Sequence, residues 1–215
     1  MKKGILFDLD GTLWDSSEEV AISWNEALEK CPDVDVIITV QDVQGIMGMT
    51  MNKIADVLFE KYAPQKRMEL LEYCCKEENE YLRMHGGKLL PDLKETLIAL
   101  KQEGYHLSIV SNCQKGYIEA FLEYHQMGTY IDDFESYGAT MRPKGENIAL
   151  VVQRNQLEEA IYVGDTQGDY DAAAFAGIPF IHAKTGYGTI NTQVPFIKEL
   201  RELPKKLDEI KEELE

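Results

Sequence analysis

Residues 4–13 read Gly4-Ile5-Leu6-Phe7-Asp8-Leu9-Asp10-Gly11-Thr12-Leu13, and the abrupt change of character inside this stretch decides the fold. Gly4 to Phe7 is apolar without alternation, and the chain then turns to Asp-x-Asp-Gly-Thr. A short continuous apolar run closed by polar and glycine residues predicts a strand buried on both faces of a parallel sheet. Ligands of such sheets bind at the carboxyl ends of the strands. Asp8 and Asp10 therefore fall where chemistry belongs.

Outward from this strand, Ser16-Ser17-Glu18-Glu19 offers a capping box, and Val20, Trp24, Ala27, Leu28 and Cys31 recur at helical spacing until Pro32. Trp14 is expected to fill the hinge before these helices. Thr50 is placed to cap a helix carrying Ile54, Val57 and Leu58, and a longer helix follows Pro64. After Gly86-Gly87 and Pro91 the rhythm changes. Helices near 93–103, 115–125, 145–154 and 168–176 alternate with strands at Leu107–Val110, Phe134–Tyr137, Ala160–Val163 and Ile178–Ile181, and an amphipathic helix with Leu203, Leu207, Ile210 and Leu214 closes the chain. Strands separated by helices imply right-handed crossovers. The expected fold is α/β: a Rossmann-like parallel sheet core, helices on both faces, with an inserted all-helical cap. Residues 1–15 and 88–215 would form the discontinuous core and 16–87 the cap.

Composition narrows the function classes. The chain has 215 residues, 44% of them hydrophobic and 28% charged, which is ordinary globular usage and argues against disorder. With 22 Lys and Arg against 38 Asp and Glu, the formal net charge is −16. Such a field repels nucleic-acid backbones and anionic membrane surfaces, so neither partner is expected. The four cysteines form no C-x-x-C pair or zinc spacing, no apolar run approaches the ~20 residues that span a bilayer, and a reducing cytoplasm is the expected location. The same field repels phosphorylated metabolites, so a substrate of that kind needs local lysine, backbone N–H groups or a cation.

Four polar clusters follow predicted strands or sit beside them: residues 8–12, Ser111-Asn112, the loop containing Lys144, and Gly164-Asp165-Thr166-Gln167-Gly168-Asp169. Gathered at one edge, Asp8, Asp10, Asp165 and Asp169 would repel one another unless protonation or a hard cation intervened. Magnesium prefers oxygen ligands and keeps some water, which suits this set. Taken singly, each aspartate is as well explained by capping a helix or ending a strand. A carboxylate at Asp8 is a workable nucleophile toward phosphorus, and a second carboxyl of raised pKa, Asp10, can move protons. Gly11 permits a tight turn whose N–H groups bind an anion; Ser111 and Asn112 add donors, and Lys144 a positive charge.

In this order the four clusters resemble the four motifs of the haloacid dehalogenase-like hydrolase superfamily. The helical insertion resembles the cap of its phosphoglycolate phosphatase and β-phosphoglucomutase branch. The stretch Asp8-Leu9-Asp10-Gly11-Thr12-Leu13 matches the first motif without deviation, a coincidence on the order of one in a thousand by residue usage. The resemblance implies Asp8 as nucleophile and metal ligand, Asp10 as acid and base with its carbonyl on the metal, and Ser111 and Lys144 as phosphate binders. It further implies Asp165 as a metal ligand and Asp169 as an orienter of Lys144 or a ligand through water. Thr12 supports the first loop. Family members often carry proline directly after the motif lysine, whereas here Pro143 precedes Lys144.

An aspartate at position 10 separates phosphoryl-transfer members from dehalogenases. Within residues 45–53 the cap candidates for contact with the leaving group are Met49, Thr50 and Lys53. Gly186-Tyr187-Gly188 lacks the third glycine of a dinucleotide fingerprint and reads as a turn near the site. The expected function is a Mg²⁺-dependent phosphatase that hydrolyses a small phosphorylated metabolite through an aspartyl phosphate. The alternatives are a phosphomutase of the β-phosphoglucomutase type and a receiver-like phospho-aspartate signalling module; the Asp-x-Asp spacing and the cap-sized insertion oppose the latter.

Overall fold

The computed structural model describes residues 2–214, without the side chains of 211–214. Met1 and Glu215, the outer limits of the expected core segments, and the Leu214 side chain lie outside the described residues. Strand β1 (Lys3–Phe7) is followed by β2 (Trp14–Asp15) and then by four helices, α1 (Ser17–Glu29), α2 (Val40–Ile46), α3 (Met51–Leu58) and α4 (Pro64–His85). The chain returns through β3 (Lys88–Leu89), α5 (Leu93–Gln102), β4 (His106–Ser111), α6 (Tyr117–Tyr124), β5 (Asp133–Ser136) and the single turn α7 (Tyr137–Thr140). It closes with α8 (Lys144–Arg154), β6 (Glu159–Gly164), α9 (Gln167–Ala176), β7 (Phe180–Ala183), β8 (Phe196–Ile197) and α10 (Leu203–Leu214).

The main sheet has the order β5-β4-β1-β6-β7-β8, and every neighbouring pair in it is parallel. Counted along the chain, this is the doubly wound order, with β1 central and the winding reversing between β1 and β6. The period-two pleat, with both faces covered, explains why β1 is apolar from Gly4 to Phe7. Ile5 and Phe7 enter one packed cluster with Leu97 and Leu100 of α5, Phe121 of α6 and Leu203 and Leu207 of α10. Leu6 enters the cluster on the opposite face, with Ile148 and Val151 of α8 and Ala172 and Ala173 of α9. At ~25 cal/mol per Å² of apolar area, burial on two faces makes a polar substitution at Ile5, Leu6 or Phe7 costly.

The helices α1 to α4 stand between two crossing segments. These segments pair as a short antiparallel ribbon, Trp14 opposite Leu89 and Asp15 opposite Lys88. β2, β3 and β8 were not expected, because two residues carry no readable period. The strand expected from Ile178 begins at Phe180, Pro179 supplying a carbonyl to Tyr162 N–H from just outside it. Ser16 precedes α1 without capping it; its hydroxyl is engaged elsewhere, as described below. Among the described residues, no helix is long and apolar enough to cross a membrane.

Candidate active site

The reversal point gathers the expected residues from three places in the chain. Asp8 lies one residue past β1 and still donates its N–H to Val163 O at 2.8 Å, so sheet pairing fixes its backbone. Asp165 lies one residue past β6, the adjacent strand. Lys144 begins α8 and Asp169 lies in the first turn of α9, the two helices that cover this face.

The Lys144 Nζ donates to Asp8 Oδ1 at 2.7 Å and to Asp169 Oδ1 at 2.6 Å. All three side chains are buried. Burial alone would lower the lysine's pKa, but Asp169 and Asp8 outweigh it and hold the ammonium form. Asp169 has two tasks. Its Oδ1 fixes Lys144, while its Oδ2 accepts from Thr166 N–H and hydroxyl in a capping box that starts α9. Pro143, at the N-cap of α8, leaves the lysine correctly aimed despite standing before it.

Carboxylate oxygens of Asp8, Asp165 and Asp169 lie within 4.8 Å of one another. Burial, Asp169 and Asp165 push the Asp8 carboxyl well above the ordinary range, with Lys144 opposing. Burial, then Asp169, pushes Asp165 up to about 6. One ammonium among three carboxylates leaves an acidic excess. Asp165 Oδ2 accepts from Tyr187 N–H at 2.7 Å and Gly188 N–H at 3.2 Å, whereas its Oδ1 is buried without a partner. An all-oxygen set with one uncompensated buried oxygen and surplus negative charge fits a hard divalent cation such as magnesium.

Asp10 is differently placed. Its Oδ1 accepts from Tyr117 hydroxyl at 2.7 Å, Trp14 Nε1 at 3.0 Å and Ser16 hydroxyl at 3.2 Å. Burial raises its pKa and these three donors oppose the rise. Ser16 and Trp14, read beforehand as a cap and a hinge filler, are thus partners of this carboxyl; Tyr117 was not foreseen. No local signal marks it, since 107 positions separate it from Asp10.

Ser111, the last residue of β4, is buried beside Asp8 and Asp10 in a cavity of about 50 Å³. Asn112, expected to face phosphate, lines the same cavity, and its amide N–H donates to Gly48 O of the helical segment at 2.9 Å. Thr12 is fully buried, its hydroxyl without a partner. Met49 lines the cavity. Thr50 and Lys53 do not: Thr50 precedes α3 as its N-cap without a side-chain cap bond, and Lys53 is exposed. The apolar Met47–Met51 stretch turns its methionines inward, and the polar residues after it face outward. The 186–188 turn proves to be part of the site, because its N–H groups hold Asp165.

Comparison with known proteins agrees with this geometry. The family model described as haloacid dehalogenase-like hydrolase matches residues 5–183. Phosphoglycolate phosphatase of Aquifex aeolicus is 29% identical over 202 residues, covering 89% of each chain. That of Vibrio cholerae is 30% identical over 196 residues, covering 86% of this chain and 85% of its own. Among solved structures, a haloacid dehalogenase-like hydrolase from Bacteroides fragilis superposes with a TM-score of 0.77 at 26% identity, covering 94% of this chain and all of its own.

Proposed function

Since the chain belongs to the haloacid dehalogenase-like hydrolase family and is a phosphatase of that family, we propose that it hydrolyses a small phosphorylated metabolite through an aspartyl phosphate on Asp8, with magnesium as cofactor. The observation that carries this reading is the convergence of Asp8, Asp165 and Asp169 within 4.8 Å, with Lys144 between two of them. We assign residues 16–87 as cap and 1–15 with 88–215 as catalytic core, the β2–β3 ribbon marking the crossing. The acidic net charge and the unbonded cysteines support action in the cytoplasm on soluble esters, away from nucleic acid and lipid.

In this mechanism Asp8 and Asp165 would hold the magnesium ion together with the Asp10 carbonyl, while Asp169 keeps Lys144 in place. Bound magnesium supplies charge neutralisation at the phosphoryl oxygens. Asp8 Oδ attacks phosphorus as the bond to the leaving oxygen breaks, and Asp10 gives that oxygen its proton. Asp10, now ionised, takes a proton from the water that attacks the phosphorus of the aspartyl phosphate, and Asp8 is released as carboxylate with inorganic phosphate. Lys144 and Ser111 stabilise the equatorial oxygens. Burial of the whole set under Met47–Met49 excludes bulk water during transfer.

The test is hydrolysis of p-nitrophenyl phosphate in magnesium by wild type and Asp8→Asn. Loss of at least about a thousandfold in kcat, with an unchanged circular dichroism spectrum, is the expected result. Activity near wild type rejects Asp8 as nucleophile.

A further inference from the structure

The cavity above Asp8 and Asp10 is walled on its outer side by the helical segment, and its lining is mostly apolar: Val20, Trp24, Ile46 and the methionines 47, 49 and 51. Among the described residues no lysine or arginine lines it. Its one charged group beyond the two aspartates is Glu78 of α4, buried with 3% exposure. Trp24 Nε1 donates to Glu78 Oε2 at 2.7 Å, and the Gln114 amide also hydrogen-bonds the carboxyl.

Glu78 is held in place by the core. The next residue, Asn79, donates to Lys115 O at 2.9 Å and accepts from Gln114 Nε2 at 3.2 Å, and Arg83 pairs with Glu123 at 3.0 Å. A buried acid is unfavourable unless it is hydrogen-bonded or paired; Trp24 and Gln114 supply neutral donors, and among the described residues no cationic side chain accompanies them. Beyond Asp8 and Asp10, Glu78 is the one ionisable carboxyl in the lining among the described residues, and the other polar groups there, Ser111, Asn112, Gln114 and Tyr117, are neutral hydrogen-bonding groups.

Resting on the phosphatase reading above, we propose that Glu78 determines specificity by pairing with an ammonium group on a short leaving alcohol, so that aminoalkyl phosphate monoesters are the preferred substrate class and carboxylated esters are disfavoured. A carboxylated leaving group would meet Asp10 and Glu78 with no cation to offset them. An ammonium group would meet the same two carboxyls, which attract a cation. Burial, with Asp10 adding to it, pushes the Glu78 carboxyl up to about 8, and a cation brought alongside favours the ionised form. The small cavity limits the leaving group to a few heavy atoms.

The experiment measures phosphate release, as kcat/KM with magnesium, from 2-aminoethyl phosphate, ethyl phosphate and phosphoglycolate, with p-nitrophenyl phosphate as reference. Wild type should prefer 2-aminoethyl phosphate over phosphoglycolate by about tenfold or more, and Glu78→Gln should reduce the ratio of 2-aminoethyl to ethyl phosphate by about tenfold. Phosphoglycolate hydrolysed as well as or better than 2-aminoethyl phosphate overturns the proposal on wild type alone, whether or not the variant folds. An unchanged ratio in a folded Glu78→Gln also overturns it. If wild type releases phosphate from none of the four esters, the phosphatase reading itself fails, which is a different result.

Discussion

The Asp10 carboxyl carries three donors on one oxygen, from Tyr117, Trp14 and Ser16. Each favours the ionised form, against burial. Removing one lets the proton bind more tightly, so the pH limb governed by Asp10 must move upward. Tyr117→Phe is expected to shift that limb of the kcat profile to higher pH and to lower kcat about tenfold at neutral pH; a limb that moves down contradicts the assignment. Gly186 is constrained by the other half of the site. A Cβ there would lie 2.1 Å from Asp165 Oδ2, and Gly11, at φ +76°, would bring a Cβ within 2.7 Å of the same oxygen. That oxygen is already tied to two N–H groups and cannot retreat. Gly186→Ala should weaken magnesium, read as a rise of about ten- to a hundredfold in the concentration needed to raise the melting temperature. An unchanged magnesium titration contradicts the coupling of Gly186 to a metal-holding Asp165.

Elements were legible to different degrees, for physical reasons. β1 was readable because burial on both faces forces an unbroken apolar run, and α9 because Thr166 and Asp169 stand at capping spacing. Two-residue strands show no period, so the β2–β3 ribbon was not readable. Helix α4 showed its apolar stripe, but Glu78 sits in the run Lys76-Glu77-Glu78-Asn79-Glu80, which reads as a solvated face. Its burial depends on Trp24, 54 positions earlier. That burial has a consequence for stability. A carboxyl raised from an ordinary 4.5 to about 8 in the folded chain retains a proton that the unfolded chain releases. Its stabilising effect is therefore complete below pH ~4.5 and is lost as pH rises toward ~8. Melting temperatures measured from pH 5 to 9 should fall more for wild type than for Glu78→Gln, by the equivalent of a few kcal/mol. Parallel curves for the two proteins contradict the buried, protonated state.

At the scale of the molecule, doubly wound topology converts distance in sequence into one cluster. Residues 8, 144, 165 and 169 meet because β1 and β6 are adjacent where the winding reverses, with α8 and α9 on that face. This part was legible from motif order alone. The way the helical segment closes over it was not. Asn112 donates to Gly48 and so ties the end of β4 to the helical segment, while Lys53, expected to face substrate, is exposed. Charge bears on the assembly as a whole: three buried acidic side chains stand against one ammonium, the imbalance on which the proposed cation and phosphoryl site rests. The most direct test of that account uses Asp10→Asn with p-nitrophenyl phosphate and magnesium, quenched in acid and analysed by mass spectrometry. The nitrophenolate leaves without a proton, so phosphoryl transfer proceeds while breakdown of the intermediate stalls. The account predicts one phosphoryl group on the peptide containing Asp8; nitrophenol release with that peptide unmodified throughout would contradict it.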